Sequence, residues 1–137
     1  MRRLSAFRIL LVEDNPGDAE LMRDALERMG SHLELGHVYD GVGAIERLRN
    51  LPLPHLIFLD LNLPRMSGTE VLEEVRGDHE LRHIPIVVLT SSSADNDIIR
   101  SYQLGANCYV TKPIDLATFQ STVSEVGGFW LNLVRVP

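Results

Sequence analysis

Apolar residues gather in five short runs along the chain, and each run is followed by a stretch where they recur at helical spacing. "FRILLVE" (Phe7–Glu13), "HLIFLDL" (His55–Leu61) and "IPIVVLT" (Ile84–Thr90) are nearly continuous apolar blocks, the pattern of strands buried on both faces. "HLELGHVY" (His32–Tyr39) alternates as a half-buried strand, and "NCYVT" (Asn107–Thr111) predicts a short last one. After the first run, Asn15 suits a helix cap, Pro16 the first helical position, and Asp18 and Glu20 the positive helix start. Ala19, Met22, Leu26 and Met29 form that helix's apolar stripe, and Gly30 stops it. Further helices are predicted over Asp40–Asn50, Ser67–Gly77, Ser93–Gly105 and Asp115–Val134. Gly41 and Gly43 weaken the first of these, and Gly127-Gly128 offer a pivot in the last.

Strands and helices in strict alternation imply an α/β fold with a parallel sheet and helices on both faces. The 137 residues fit one domain. Acids outnumber bases 19 to 13, a formal charge of −6, which disfavours nucleic acid and favours a cation as guest. A single cysteine, Cys108, leaves no internal disulfide or cysteine zinc site and reads as a buried strand residue. No apolar run reaches the roughly 18 residues of a membrane span. "MRRLSAFRILLVEDN" ends in acids without a cleavage site, so it reads as a strand, and a cytoplasmic location is expected.

"HELRH" (His79–His83) spells the short zinc-protease signature, which needs a helix through all five residues and a third ligand. Gly77 closes a helix just before it, and Pro85 pushes Ile84 out of helical geometry just after it. No histidine follows, so the segment reads as a surface connection. His32, His37 and His55 are scattered and read as solvated or satisfied side chains.

In parallel α/β sheets, sites form beyond the carboxyl ends of the strands. The polar exits are Glu13-Asp14, Asp60, Thr90-Ser91 and Thr111-Lys112-Pro113. Carboxylates gathered there repel one another unless a cation joins them, and Mg²⁺ suits a few carboxylates plus waters. An ammonium from Lys112 and a hydroxyl from Thr90 complete a site for a phosphoryl group in transfer, with an aspartate as nucleophile.

"LVEDNPGDAELM", "LDLNLPRMSG", "VVLTSS" and "YVTKPID" together resemble the receiver domain of two-component response regulators, across essentially the whole chain. "EDNPGDAEL", "LDLNLP", "LGANCYVTKP" and "FWLNLV" further resemble the stand-alone receivers that work with bacterial phytochrome kinases. The resemblance implies a flavodoxin-like five-stranded sheet in the order 2-1-3-4-5. It implies Asp60 as phospho-acceptor and Mg²⁺ held by Asp14, Glu13, Asp60 and the backbone carbonyl of Asn62. Thr90 and Lys112 then bind phosphoryl oxygens, Tyr109 is the switch aromatic, and Lys112-Pro113 is a cis peptide. Leu63 stands where the family often has methionine, a volume-conserving change. Asn62 and Ser92 occupy positions that tune the lifetime of the phosphorylated state in the family.

The resemblance implies transfer from a sensor histidine kinase, of phytochrome type, to Asp60. Phosphorylation adds up to about two negative charges. Thr90 moves toward the new oxygens, Tyr109 swings after it, and the surface of the fourth helix, fifth strand and fifth helix responds. The chain ends at Pro137 just after the last helix, so a single receiver domain over residues 1–137 without an output domain is expected. In "FWLNLVRVP", Trp130 and Leu133 continue the inward stripe, while Phe129, Leu131 and Val134 lie elsewhere. A homodimer is expected through this 127–137 tail and the face between the fourth and fifth helices. Two enzyme-like or carrier readings fit less well. A haloacid-dehalogenase phosphatase needs an acid two places after its nucleophile, where Asn62 stands, and a flavin carrier needs a phosphate loop where "EDNPGD" would repel it. A docking module without chemistry has no need of the set Glu13, Asp14, Asp60, Thr90 and Lys112.

Overall fold

A computed structural model describes residues 6–30, 32–112 and 115–132. Strands β1 (Phe7–Val12), β2 (Leu33–Val38), β3 (Leu56–Leu59), β4 (Ile86–Thr90) and β5 (Cys108–Thr111) alternate with five helices. These are α1 (Pro16–Glu27), α2 (Gly41–Leu48), α3 (Gly68–Gly77), α4 (Asp95–Gln103) and α5 (Leu116–Asn132). All strand pairs are parallel, in the order β2-β1-β3-β4-β5. The expected fold class and strand order are therefore those observed, the flavodoxin-like arrangement.

Side chains alternate across the three central strands into two cores. Leu10, Val12, Ile57, Leu59, Ile86 and Val88 meet α2 and α3, where Ala44, Leu48, Val71, Leu72 and Val75 are buried. Ile9, Leu11, Leu56, Phe58, Val87 and Leu89 meet α1 and α5, where Met22, Leu26, Phe119 and Val123 are buried. Both faces are covered, which is why these strands read as unbroken apolar blocks.

The register brings the strand exits level. Val12 pairs with Leu59, Leu59 with Val88, and Thr90 with Thr111. Strand boundaries fall slightly inside the expected ones. Pro85 has no N–H for the ladder, so β4 begins at Ile86, whose N–H is taken by Asn107 Oδ1 at 2.8 Å.

Helices α1, α2 and α3 start as their sequences dictate, while α4 follows Ala94 without a side-chain cap. Asn15 Oδ1 caps α1 through Asp18 N–H (3.0 Å), Asp40 Oδ1 caps α2 through Gly43 N–H (2.6 Å), and Ser67 with Glu70 forms a capping box on α3. Helix α5 runs unbroken through Gly127-Gly128, where a pivot was expected. Gly127 is buried against α1, and a Cβ there would stand 2.9 Å from Leu26 Cδ2, so this glycine permits a close helix crossing.

"HELRH" forms a turn, with Leu81 and Arg82 N–H groups both on the Asp78 carbonyl and Ile84 N–H on that of Leu81. Leu81 and Ile84 are buried beneath it. Nearby, Arg76 of α3 binds the carbonyls of Gly105, Arg82 and Ile84 and Asn107 Oδ1, at 2.8–3.1 Å. It ties α3 to the connections entering β4 and β5, at the end of the sheet opposite the strand exits. The Lys112-Pro113 peptide and Leu133, Val134 and Val136 of the tail lie outside the described residues. No described helix is long and apolar enough to cross a membrane.

Candidate functional site

The strand exits converge. Glu13 follows β1, Asp60 follows β3, Thr90 ends β4 and Lys112 follows β5, and all but Lys112 are buried polar residues against the sheet's edge. Lys112 Nζ donates to Glu13 Oε1 (2.6 Å), Asp60 Oδ2 (2.9 Å) and Asp18 Oδ2 (2.9 Å), with 7% of its side chain exposed. One carboxylate oxygen each from Glu13, Asp14 and Asp60 lie within 4.8 Å of one another. Asp14 is exposed, so the cluster opens to solvent on its side.

Backbone groups hold the acids. Asp60 N–H continues the ladder to the Val12 carbonyl (3.0 Å), and Asn62 N–H donates to Asp60 Oδ1 (3.1 Å). Glu13 N–H reaches the Val38 carbonyl (3.1 Å), while Asn15 N–H donates to Glu13 Oε2 (3.1 Å). The first turn of α3 comes close behind Asp60. A Cβ on Gly68 would lie 2.3 Å from the Asp60 carbonyl oxygen, so only glycine fits there.

The electrostatics divide the two buried acids. Burial pushes the Glu13 carboxyl up from 4.5 to about 7, against the bond from Lys112 and with the neighbouring charge of Asp60. For Asp60, burial acts in the same sense but is outweighed by the bond and charge of Lys112 and by Asn62 N–H, so its carboxyl is held below its ordinary range. Burial works against the Lys112 charge too, but the three carboxylates outweigh it and raise its pKa. The Asp60 carboxylate is thus kept ionised beside a fixed ammonium.

The Thr90 hydroxyl is fully buried and meets no hydrogen-bond partner among the described residues. It lies near enough to Asp60 to bias that carboxyl weakly toward ionisation. A buried unbonded hydroxyl is unfavourable, and one facing a carboxylate suits an incoming acceptor oxygen. Next along, Tyr109 O–H donates to the Ser92 carbonyl (2.9 Å), while its N–H donates to the Tyr102 hydroxyl (3.0 Å). Ser92 Oγ in turn donates to Asp97 Oδ2 in the first turn of α4.

The structure thus brings together Glu13, Asp14, Asp60, Thr90 and Lys112, with Asn62 at its edge and Tyr109 one connection away. Asp18 was not expected here. Its place in the first turn of α1 explains it locally as a favourable helix-start acid, and only the fold brings Lys112 to it. His37, read as satisfied or solvated, binds the Glu13 carbonyl through Nε2 (2.8 Å), and His55 Nδ1 accepts from Arg8 N–H (2.9 Å). The donor set suits a hard divalent ion with oxygen ligands: three carboxylates from three segments, one of them open to solvent for coordinated waters.

A parallel 2-1-3-4-5 sheet with acids, a hydroxyl and a lysine at its carboxyl edge defines a class, and the family model described as the response regulator receiver domain matches residues 9–124. The chain belongs to that family, whose members act in two-component signalling with sensor histidine kinases. Response regulator Rcp1 of Synechocystis sp. is 42% identical over 135 residues, covering 94% of this chain and 92% of that protein. The probable methanogenesis regulatory protein FilR2 of Methanothrix harundinacea is 40% identical, covering 96% of this chain and 88% of that one. Among solved structures, the phosphorylated cyanobacterial phytochrome response regulator RcpA superposes with a TM-score of 0.94 at 40% identity, over 97% of this chain and 99% of that one. The Mn²⁺-bound form of Rcp1 gives 0.90 at 41% identity, over 95% and 98%.

Proposed function

We propose that this chain accepts a phosphoryl group on Asp60 from a phosphohistidine of a sensor kinase, with Mg²⁺ held by Glu13, Asp14, Asp60 and the Asn62 carbonyl. The observation that carries this is the three-way grip of Lys112 on Glu13, Asp18 and Asp60 beside the unbonded Thr90 hydroxyl. When bound, the ion neutralises charge on the phosphoryl oxygens and the acceptor. The protein supplies the rest. Lys112 keeps Asp60 ionised and, once the phosphoryl group arrives, transfers hydrogen bonds to it. The bond from phosphorus to the imidazole nitrogen breaks as the bond to a carboxylate oxygen of Asp60 forms, and the nitrogen keeps the electron pair. Thr90 then turns its free hydroxyl to a phosphoryl oxygen, drawing the connection after β4 inward. That movement disturbs the Ser92 carbonyl on which Tyr109 is anchored, and through Ser92 and Asp97 it reaches α4. Loss of the phosphoryl group to water resets the site.

The test is direct. The parent chain, incubated with acetyl phosphate and Mg²⁺, gains one phosphoryl mass, and Asp60→Asn does not. A gain that persists in the variant, or none in the parent, overturns the assignment. The relatedness to phytochrome response regulators supports a kinase of phytochrome type as donor.

The partner surface follows from exposure. Ile99 (54%) and Tyr102 (49%) on α4 and Phe129 (50%) on α5 flank β5, the edge strand. Trp130 turns inward against the α1–α5 core, and Phe129 packs edge-on to it at 5.8 Å. This apolar face supports a homodimer. Sedimentation velocity is expected to find a dimer, and a monomer for Ile99→Glu with Phe129→Glu. A parent that sediments as a monomer at tens of micromolar, or a variant that stays dimeric, sinks the dimer.

A further inference from the structure

The connection between β3 and α3, residues 60–67, walls one side of the site and carries Asn62. Its base is closed by Gly68 N–H on the Leu61 carbonyl (2.9 Å). Its tip is held from outside. Arg65 Nε donates to Asp40 Oδ2 at 2.7 Å, while the other oxygen of that carboxylate caps α2. The fixed cap gives the guanidinium a rigid target. Arg65 has φ 66°, the left-handed region in which a non-glycine side chain is strained, so something must hold it there. Beside it the Met66 carbonyl lies directly over Gly41, where a Cβ would come within 2.0 Å of that oxygen. The tip is therefore seated on the N-terminus of α2 by a steric fit and one charged bond.

We infer that Arg65 and Asp40 form a positioning pair: their bond fixes the tip of the β3–α3 connection on α2 and so sets where the Asn62 carbonyl stands for the divalent ion. This rests on the proposed role of Asn62 and deepens it. The pair touches neither ion nor phosphoryl group. Arg65 is exposed and Asp40 half-buried at the surface, so the pair's effect on overall stability is small, and its effect is on geometry.

Four full-length variants test it. Arg65→Gly removes the bond but suits the backbone angle, and Arg65→Lys keeps the charge. Asp40→Asn keeps the helix cap and loses the charge, and the fourth variant combines Asp40→Asn with Arg65→Gly. The readouts are Mg²⁺ affinity by calorimetry and the rate of phosphorylation by acetyl phosphate at saturating Mg²⁺. Arg65→Gly and Asp40→Asn are each expected to weaken Mg²⁺ binding by about two- to five-fold, the range of a surface pair's coupling. The double variant should be no weaker than either single one, and Arg65→Lys should lie closer to the parent. The melting temperature of Arg65→Gly should be unchanged or higher, because glycine relieves the strained angle. Unaltered Mg²⁺ affinity in Arg65→Gly, additive losses in the double variant, or equal losses in the glycine and lysine variants would overturn the proposal. Failure of the site reading looks different: phosphorylation that survives Asp60→Asn rejects that reading, while the Mg²⁺ titration still decides the pair. A parent that binds no Mg²⁺ rejects both.

Discussion

Glu13 and Lys112 are in contact at 2.6 Å, yet burial leaves the acid reluctant to ionise, while three carboxylates hold the base charged against burial. The raised Glu13 carboxyl has a definite sign in linkage. Between 4.5 and about 7 the folded chain holds a proton there that the unfolded chain has lost, so this group's stabilising contribution is complete below 4.5 and disappears as pH rises through about 7. A divalent ion needs the carboxylate, so binding must expel that proton. Apparent Mg²⁺ affinity is therefore expected to climb from pH 5.5 to about 7, by at most about ten-fold per unit, and then flatten. Titration calorimetry in buffers of different ionisation enthalpy checks this, because proton release should be visible below pH 7. Lys112→Met separates two functions of the ammonium. Removing a cation that competes for Glu13 and Asp60 should tighten Mg²⁺ binding, while phosphorylation by acetyl phosphate should fall by at least about ten-fold, as expected when a charge-stabilising donor is lost. Weaker metal binding in that variant would contradict the competition.

Secondary elements differ in how openly the sequence declares them. The three central strands are apolar on both faces and need no knowledge of their partners, so their runs locate them and their polar exits locate the site. What local reading misses is a role created by a distant partner. Asp18 satisfies the rule for a helix start by itself, and its lysine is 94 residues away. Arg76 looks like one of several charges on α3, because its acceptors are mostly backbone carbonyls, which leave no mark in the sequence. Gly127 reads as a weak point of a helix when α5 is viewed alone, and becomes a point of contact once α1 is beside it. Arg76 gives a test at this scale. Arg76→Ala leaves those carbonyls without their donor and is expected to destabilise the fold by about 2 kcal/mol or more, while Arg76→Lys, which lacks the planar fork, recovers little of it. Urea midpoints measure the loss. Phosphorylation of the folded fraction should be unaffected, because the brace lies at the other end of the sheet.

For the whole molecule, the site couples chemistry to stability. The acids from after β1 and after β3 are assembled only in the folded chain, so Mg²⁺ bound there as proposed should stabilise it, by roughly 2.7 kcal/mol at a hundred-fold excess over its dissociation constant. Calorimetric melting with increasing Mg²⁺ is expected to show a rising midpoint in the parent and a much smaller rise in Asp14→Asn. The molecule's formal charge is −6 and a phosphoryl group on Asp60 would make it more negative, so the proposed response of the α4–α5 surface is expected from rearranged contacts and not from neutralisation. The ammonium that holds the cluster is 99 residues from the first acid it touches. During synthesis, everything before β5 can emerge from the ribosome and even begin to pair, but the receptor for the signal does not yet exist. Under the proposed mechanism, a chain that has not yet laid down its last strand at the sheet's edge lacks this ammonium and accepts phosphate far more slowly. On that reading the message is written preferentially on finished copies.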